Sequence, residues 1–188
     1  MRLFVALALP PEVQNNVAIL LSELRPLLPE LRWTRVKNIH LTLKFLGEIS
    51  GDSLPAKRSA LEKVKQGKAI TLHVEGIGSF DTRRKGGVVF AKIMESAQLA
   101  QLVSEISTRL EAVGVEPEAR PFVPHLTLGR SKDGQLPKNL DEILTRFEPR
   151  EFANFQCSEF HLFESKLKPT GAEYTILQSL SFVPEPQD

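Results

Sequence analysis

Short apolar runs alternate with stretches in which apolar residues recur every three or four positions. Extended segments and amphipathic helices therefore interleave along the chain. Leu3–Leu9 has strand length and is almost wholly apolar, as a buried strand would be. Pro10 and Pro11 punctuate it, and Pro11 is placed to open a helix in which Val13, Val17, Leu20, Leu21 and Leu24 share one face. Pro26 and Pro29 end that helix. An irregular stretch around Trp33 leads to an extended Ile39–Leu46 closed by Gly47, and Ser53 and Pro55 start a second helix through about Gln66. Ile70–Ile77 and Val88–Ile93 read as strands, joined by a glycine-bounded basic connection. Ser96 to about Val113 is the clearest helix, with Gly114 as its stop. Phe122–Arg130 is extended, a short helix lies near Asp141–Phe147, and strands follow near Phe152–Phe163 and Tyr174–Phe182, with a frayed tail from Pro184. The class is α/β or α+β.

At 188 residues the chain is little longer than a ~150-residue domain. That favours one compact domain over 1–188, built from two similar halves. A hydrophobic share of 41% with 11 glycines is ordinary for a globular protein and excludes disordered, collagen-like and coiled-coil classes. Lys and Arg number 24 against 23 Asp and Glu, a net charge of +1, so no general electrostatic grip on nucleic acid is indicated. The balance is uneven, however: residues 1–94 carry a net +7 and residues 95–188 a net −6, which leaves room for an anionic ligand. Cys157 is the only cysteine, so no internal disulfide forms. No apolar run nears the ~20 residues of a membrane span. The start superficially resembles a signal peptide but runs into Pro10-Pro11-Glu12 without a small-residue cleavage site. A cytoplasmic protein with no membrane partner is expected.

His40-Leu41-Thr42-Leu43 recurs as His125-Leu126-Thr127-Leu128, 85 residues later, and these are two of only four histidines. Side chains alternate across a strand, so the leucines can be buried while His40, Thr42, His125 and Thr127 line an open face. If the two strands lie near each other, two imidazoles and two hydroxyls converge on one small group. That set suits a phosphodiester. An imidazole titrates near ~6.5, so one ring can accept a proton while the other donates one, and the hydroxyls can donate to non-bridging oxygens. A lone His-x-Thr-x is ordinarily a half-buried strand. Duplication explains the leucines but gives no reason to keep both histidines and both threonines, so this quartet is the candidate site.

The two strings and their flanks resemble the 2H phosphoesterase superfamily, and within it the bacterial and archaeal RNA 2′,3′-cyclic phosphodiesterases, also called the 2′-5′ RNA ligase family. Arg2–Ala6 with Leu9-Pro10, Asn38–Glu48, Arg120–Arg130 and Phe160–Ser165 carry the resemblance. It implies a bilobal fold: two pseudo-symmetric lobes of antiparallel-rich sheet with helices outside and a cleft between them. It implies metal-independent, cofactor-free hydrolysis of an RNA terminal 2′,3′-cyclic phosphate to a 2′-phosphomonoester and, in reverse, slow joining of RNA ends through a 2′-5′ bond. The expected partner is RNA with a cyclic phosphate end, tRNA halves included, acted on by a monomer. In this assignment His125 is the general base for water and His40 the general acid for the leaving 3′ oxygen, although the sequence does not fix which takes which role. Thr42 and Thr127 hold phosphate oxygens. Arg130 matches a further basic position of the family. Being five residues from His125, it would face away on a regular strand, unless a bulge at Gly129 turns it inward.

Other residues are weaker candidates. Lys44 has the same parity as His40 and Thr42. Arg83, Arg84 and Lys85 either cap a solvated hairpin or meet RNA phosphates. Phe122, Phe80 and Trp33 could stack on a base, Phe122 foremost, with core packing the alternative for each. His73 and His161 read as structural, and Cys157 as a small core residue with no basic neighbour to activate it. No CxxC, HExxH, Walker or dinucleotide pattern occurs, so neither a metal nor ATP-dependent joining is expected. Two other functions compete: an RNA- or nucleotide-binding module without turnover, and a phosphodiesterase of a small cyclic-phosphate metabolite.

Overall fold

Proline and serine start the two long helices where the sequence places them. Pro11 stands in the first turn of α1 (Pro11–Leu24), and the Ser96 side chain accepts from the Leu99 amide at 3.1 Å to cap α3 (Ala97–Glu111). The computed structural model describes residues 1–65, 67–80, 87–132, 135–169 and 171–182. The remaining helices are α2 (Leu54–Glu62), shorter than the periodicity suggests, and α4 (Leu140–Phe147). The strands are β1 (Arg2–Ala8), β2 (Leu31–Trp33), β3 (His40–Glu48), β4 (Ile70–Phe80), β5 (Val88–Ile93), β6 (His125–Ser131), β7 (Glu151–Cys157), β8 (Glu159–Lys168) and β9 (Gly171–Ser181). The irregular stretch around Trp33 thus contains a strand, β2, too short for a periodic signal. The basic segment Arg83–Lys85 and the tail from Pro184 lie outside the described residues.

The sheet runs β7-β4-β5-β6-β3-β1-β8-β9, antiparallel throughout, with β2 paired to β6. It narrows sharply in the middle. β3 and β6, the strands that carry the repeated tetrapeptide, share a single rung, Leu41 opposite Leu126. One lobe comprises β6, β5, β4 and β7, the other β3, β1, β8 and β9. Displaced by 85 residues, β1, α1, β3 and α2 fall on β5, α3, β6 and α4 to within one or two residues at their starts.

All four helices pack on one face of the sheet. Val13, Val17, Leu20, Leu102, Ile106 and Ile143 join Leu3, Val5, Leu41, Leu43, Leu126 and Leu128 in the main core. On the opposite face Phe4, Ala6 and Phe163, with Tyr174 against them, form a second, small cluster. Strand alternation therefore separates a helix-covered face from an open one, and the polar positions of β3 and β6 fall on the open one. Among the described residues no helix is long and apolar enough to cross a membrane.

Candidate active site

The Leu41–Leu126 rung sets the geometry. In an antiparallel pair this register directs His40 toward Thr127 and Thr42 toward His125, across a strand spacing of about 4.8 Å. All four side chains are half-buried on the open face, opposite the buried leucines. The burial of successive residues is the same along His40–Lys44 and His125–Gly129, so each lobe presents its histidine and threonine in the same way.

Each histidine is held by its own backbone. His40 Nδ1 lies 2.8 Å from the Asn38 carbonyl and His125 Nδ1 lies 2.7 Å from the Val123 carbonyl. A carbonyl can only accept, so in both rings Nδ1 carries the hydrogen and Nε2 is left to exchange protons. Aromatic rings support both imidazoles. His40 stacks on Phe4 at 4.7 Å, and Tyr174 meets it edge-on at 5.2 Å. His125 sits edge-on to Phe80 at 5.1 Å and tilted against Phe90 at 5.2 Å. Burial holds both histidines below their ordinary pKa. The carbonyl hydrogen bonds work in the other direction, and the charge of His125 adds to the depression at His40, as that of Arg130 does at His125.

A β-bulge in each lobe rephases the strand just after the threonine. Opposite β1, Val5 faces Lys44 while Ala6 faces Thr42, so Leu43 is the extra residue. Opposite β5, Val89 faces Gly129 while Phe90 faces Thr127, so Leu128 is extra. Two expectations are decided by this. Arg130 does reach the His125 face, through a bulge one residue earlier than Gly129, and it is exposed there. Lys44, expected beside His40 and Thr42, is instead carried to the helix side, where it is 2% exposed and its Nζ donates to Glu111 Oε1 at 3.0 Å. Parity failed for Lys44 because it assumed an unbroken pleat. At the position equivalent to Arg130 stands Phe45, 56% exposed and 6.2 Å from the Phe4 ring. Phe45, Phe4, Phe90 and Tyr174 were not singled out from sequence. Their only signal is alternation on strands whose bulges the sequence does not announce.

The other candidates separate cleanly. Phe80 joins the His125 surroundings. Trp33 packs against the main core and over Gly129, where an added Cβ would lie 3.1 Å from its Cε3. Phe122 also packs on the core and lines a cavity of about 510 Å³ beside α3 with Leu99, Val103 and Pro124. None of the four motif side chains lines that cavity. A second cavity, of about 520 Å³, adjoins His40 and is lined by Lys37, Asn38, Phe163, Glu173 and Tyr174 among others. His161 is buried with Nδ1 2.9 Å from Ser179 Oγ, and His73 is exposed on β4. Cys157 is buried, which pushes its thiol up to about 11, far from nucleophilic use at neutral pH. Among the described residues no group of three or more His, Cys, Asp or Glu side chains could hold a metal.

Residues 9–169 match the family model described as the 2′-5′ RNA ligase superfamily. A Thermus thermophilus protein named RNA 2′,3′-cyclic phosphodiesterase is 30% identical, over 96% of this chain and 90% of its own length. A protein of the same name from Methanocaldococcus jannaschii is 26% identical over 95% of this chain and 99% of its own. Among solved structures, Escherichia coli LigT complexed with 3′-AMP is similar with a TM-score of 0.79 and 27% identity, covering 96% of this chain and 97% of that one.

Proposed function

The chain belongs to the 2′-5′ RNA ligase superfamily, and on that premise we propose that it hydrolyses RNA terminal 2′,3′-cyclic phosphates to 2′-phosphomonoesters, with His40 and His125 as its acid–base pair. One observation carries the reading: a single rung joins the two lobes and turns two imidazoles, both with Nε2 available, and two threonines onto the same open face.

In this mechanism the cyclic phosphate sits between the lobes. His125 Nε2 takes a proton from water, the water oxygen bonds to phosphorus, and the bond from phosphorus to the 3′ oxygen breaks. His40 Nε2–H gives its proton to that departing oxygen. Thr42 and Thr127 donate to the non-bridging oxygens, and Arg130 opposes the charge that grows on them. Phe45, the equivalent residue of the other lobe, offers a ring face to the nucleobase. A bound phosphodiester anion favours the protonated form of the ring beside it, which offsets the burial that otherwise keeps both histidines neutral. Putting an RNA 5′-hydroxyl in place of water yields a 2′-5′ bond, with the strained cyclic ester supplying the energy. Both motifs lie in one chain, so a monomer suffices, and cytoplasmic RNA fragments with cyclic ends, tRNA halves included, are the proposed substrates.

The test is end-group analysis of an RNA ending in 2′,3′-cyclic phosphate, incubated with the protein and EDTA. The reading expects a 2′-phosphate that disappears with His40→Ala and with His125→Ala. RNA binding without turnover would make the chain a binding module, turnover of mononucleotide-sized substrates alone would make it a metabolite phosphodiesterase, and loss of activity in EDTA would overturn the metal-free mechanism.

A further inference from the structure

On the basis of that reading, we propose that Arg32 is an RNA-binding residue: beside Arg130, which faces the reacting phosphate, it holds the phosphodiester that joins the terminal nucleotide to the rest of the strand. β2 runs along β6 beyond the rung where β3 meets it. Arg32 stands directly opposite Arg130, and Trp33 opposite Gly129. Cross-strand partners project from the same face. Trp33 and Gly129 point to the helix side, so both guanidinium groups point to the open one, where both arginines are exposed.

Like charges directly opposite in a sheet are destabilising. Two other strand cations are neutralised by carboxylates. Lys92, opposite His125, is tied to Glu148 at 3.3 Å, and Lys44 to Glu111 at 3.0 Å. Among the described residues no carboxylate pairs with either Arg32 or Arg130. Two facing, unpaired guanidinium forks are a donor set for an oxyanion, which a planar fork can meet with two hydrogen bonds. Arg130 acts electrostatically on His125. Arg32 is one strand further from the reacting group, about 4.8 Å, and so falls to the neighbouring phosphate. An RNA strand has such a phosphate; a nucleoside cyclic phosphate does not. Arg32 would thus make the enzyme prefer RNA ends over small cyclic phosphates.

The experiment compares wild type with Arg32→Gln on a nucleoside 2′,3′-cyclic monophosphate and on a short oligoribonucleotide ending in 2′,3′-cyclic phosphate, across a salt series. On the oligonucleotide, kcat/KM should fall by at least about tenfold and the logarithmic salt slope should become shallower by about 0.7, one phosphate contact on a single strand. The mononucleotide should show no comparable loss, and the melting temperature should not drop, because a repulsion has been removed. Equal losses on both substrates, no loss on either, or an unchanged salt slope would overturn the proposal. If wild type turns over neither substrate, the phosphodiesterase reading fails separately. Fluorescence anisotropy of a labelled oligoribonucleotide then decides for Arg32 alone, weaker binding by the variant supporting its role and equal binding refuting it.

Discussion

Lys44 gives the sharpest test of how the bulges divide the sheet's two faces. Its side chain is 1% exposed and its only ion-pair partner among the described residues is Glu111, 3.0 Å away and 35% exposed. Removing one partner of a fully buried pair costs about 3–5 kcal/mol, because the other charge is left uncompensated. Water reaches Glu111 on one side, which brings the expected cost of Glu111→Ala down to about 1–3 kcal/mol, since alanine is itself a good helix residue. At about 2–4 °C per kcal/mol for a domain of this size, the melting temperature falls by about 2–12 °C. Lys44→Met removes the buried cation and leaves Glu111 without its partner, but that carboxylate is 35% exposed and stays hydrated, so the loss should be smaller than for Glu111→Ala. Because Lys44 points to the helices and not to the phosphate, Lys44→Met should keep the wild-type kcat/KM on RNA cyclic phosphate. Urea unfolding and initial rates on the two variants measure both effects. A folded Lys44→Met protein that loses activity tenfold would refute the placement, and an unchanged midpoint for Glu111→Ala would refute the energetic argument.

Three further outcomes follow from the site. Both histidines are held below the ordinary ~6.5 by burial, and the proposed mechanism needs one of them protonated. The pH profile of kcat/KM should therefore peak below about 6.5 and decline through neutrality, while kcat, which reports the phosphate-bound enzyme, peaks at higher pH; a kcat/KM maximum above pH 7 contradicts this. Phe4→Leu removes the ring stacked on His40 at 4.7 Å. It should cost about 0.5–1.5 kcal/mol in urea unfolding and, by admitting water, move a limb of the pH–rate profile upward. Gly78→Ala puts a Cβ 2.8 Å from Phe90 Cζ, displacing a ring that supports His125. About 1–3 kcal/mol of stability should be lost along with kcat, whereas Gly51→Ala, which has open space around it, should leave kcat unchanged.

Residues whose role depends on local pattern could be read before the fold was known. The leucines of the two tetrapeptides reveal strands with one buried face, and the repeated His and Thr reveal the other. Pro11 and Ser96 mark helix starts because their backbone chemistry is local. What depends on partners across the sheet could not be read. Leu43 and Leu128 are ordinary apolar residues, and only the register against β1 and β5 makes them bulges. Lys44 was therefore expected on the wrong face, while Arg130 needed a bulge whose position the sequence did not give away. β2, three residues long, carries no period, so Arg32 had no context. Phe4, Phe90 and Tyr174 look like any strand aromatics until the register brings them to the imidazoles.

The central claim is that His40 and His125 work as one proton-transferring unit. The measurement is kcat on RNA 2′,3′-cyclic phosphate for His40→Ala, His125→Ala and the double variant. Each single change should cost about 10²–10⁴-fold, and the double variant should be little worse than the poorer single one, as residues that act together behave. Near-wild-type turnover in either single variant, or losses that multiply in the double, would contradict the account.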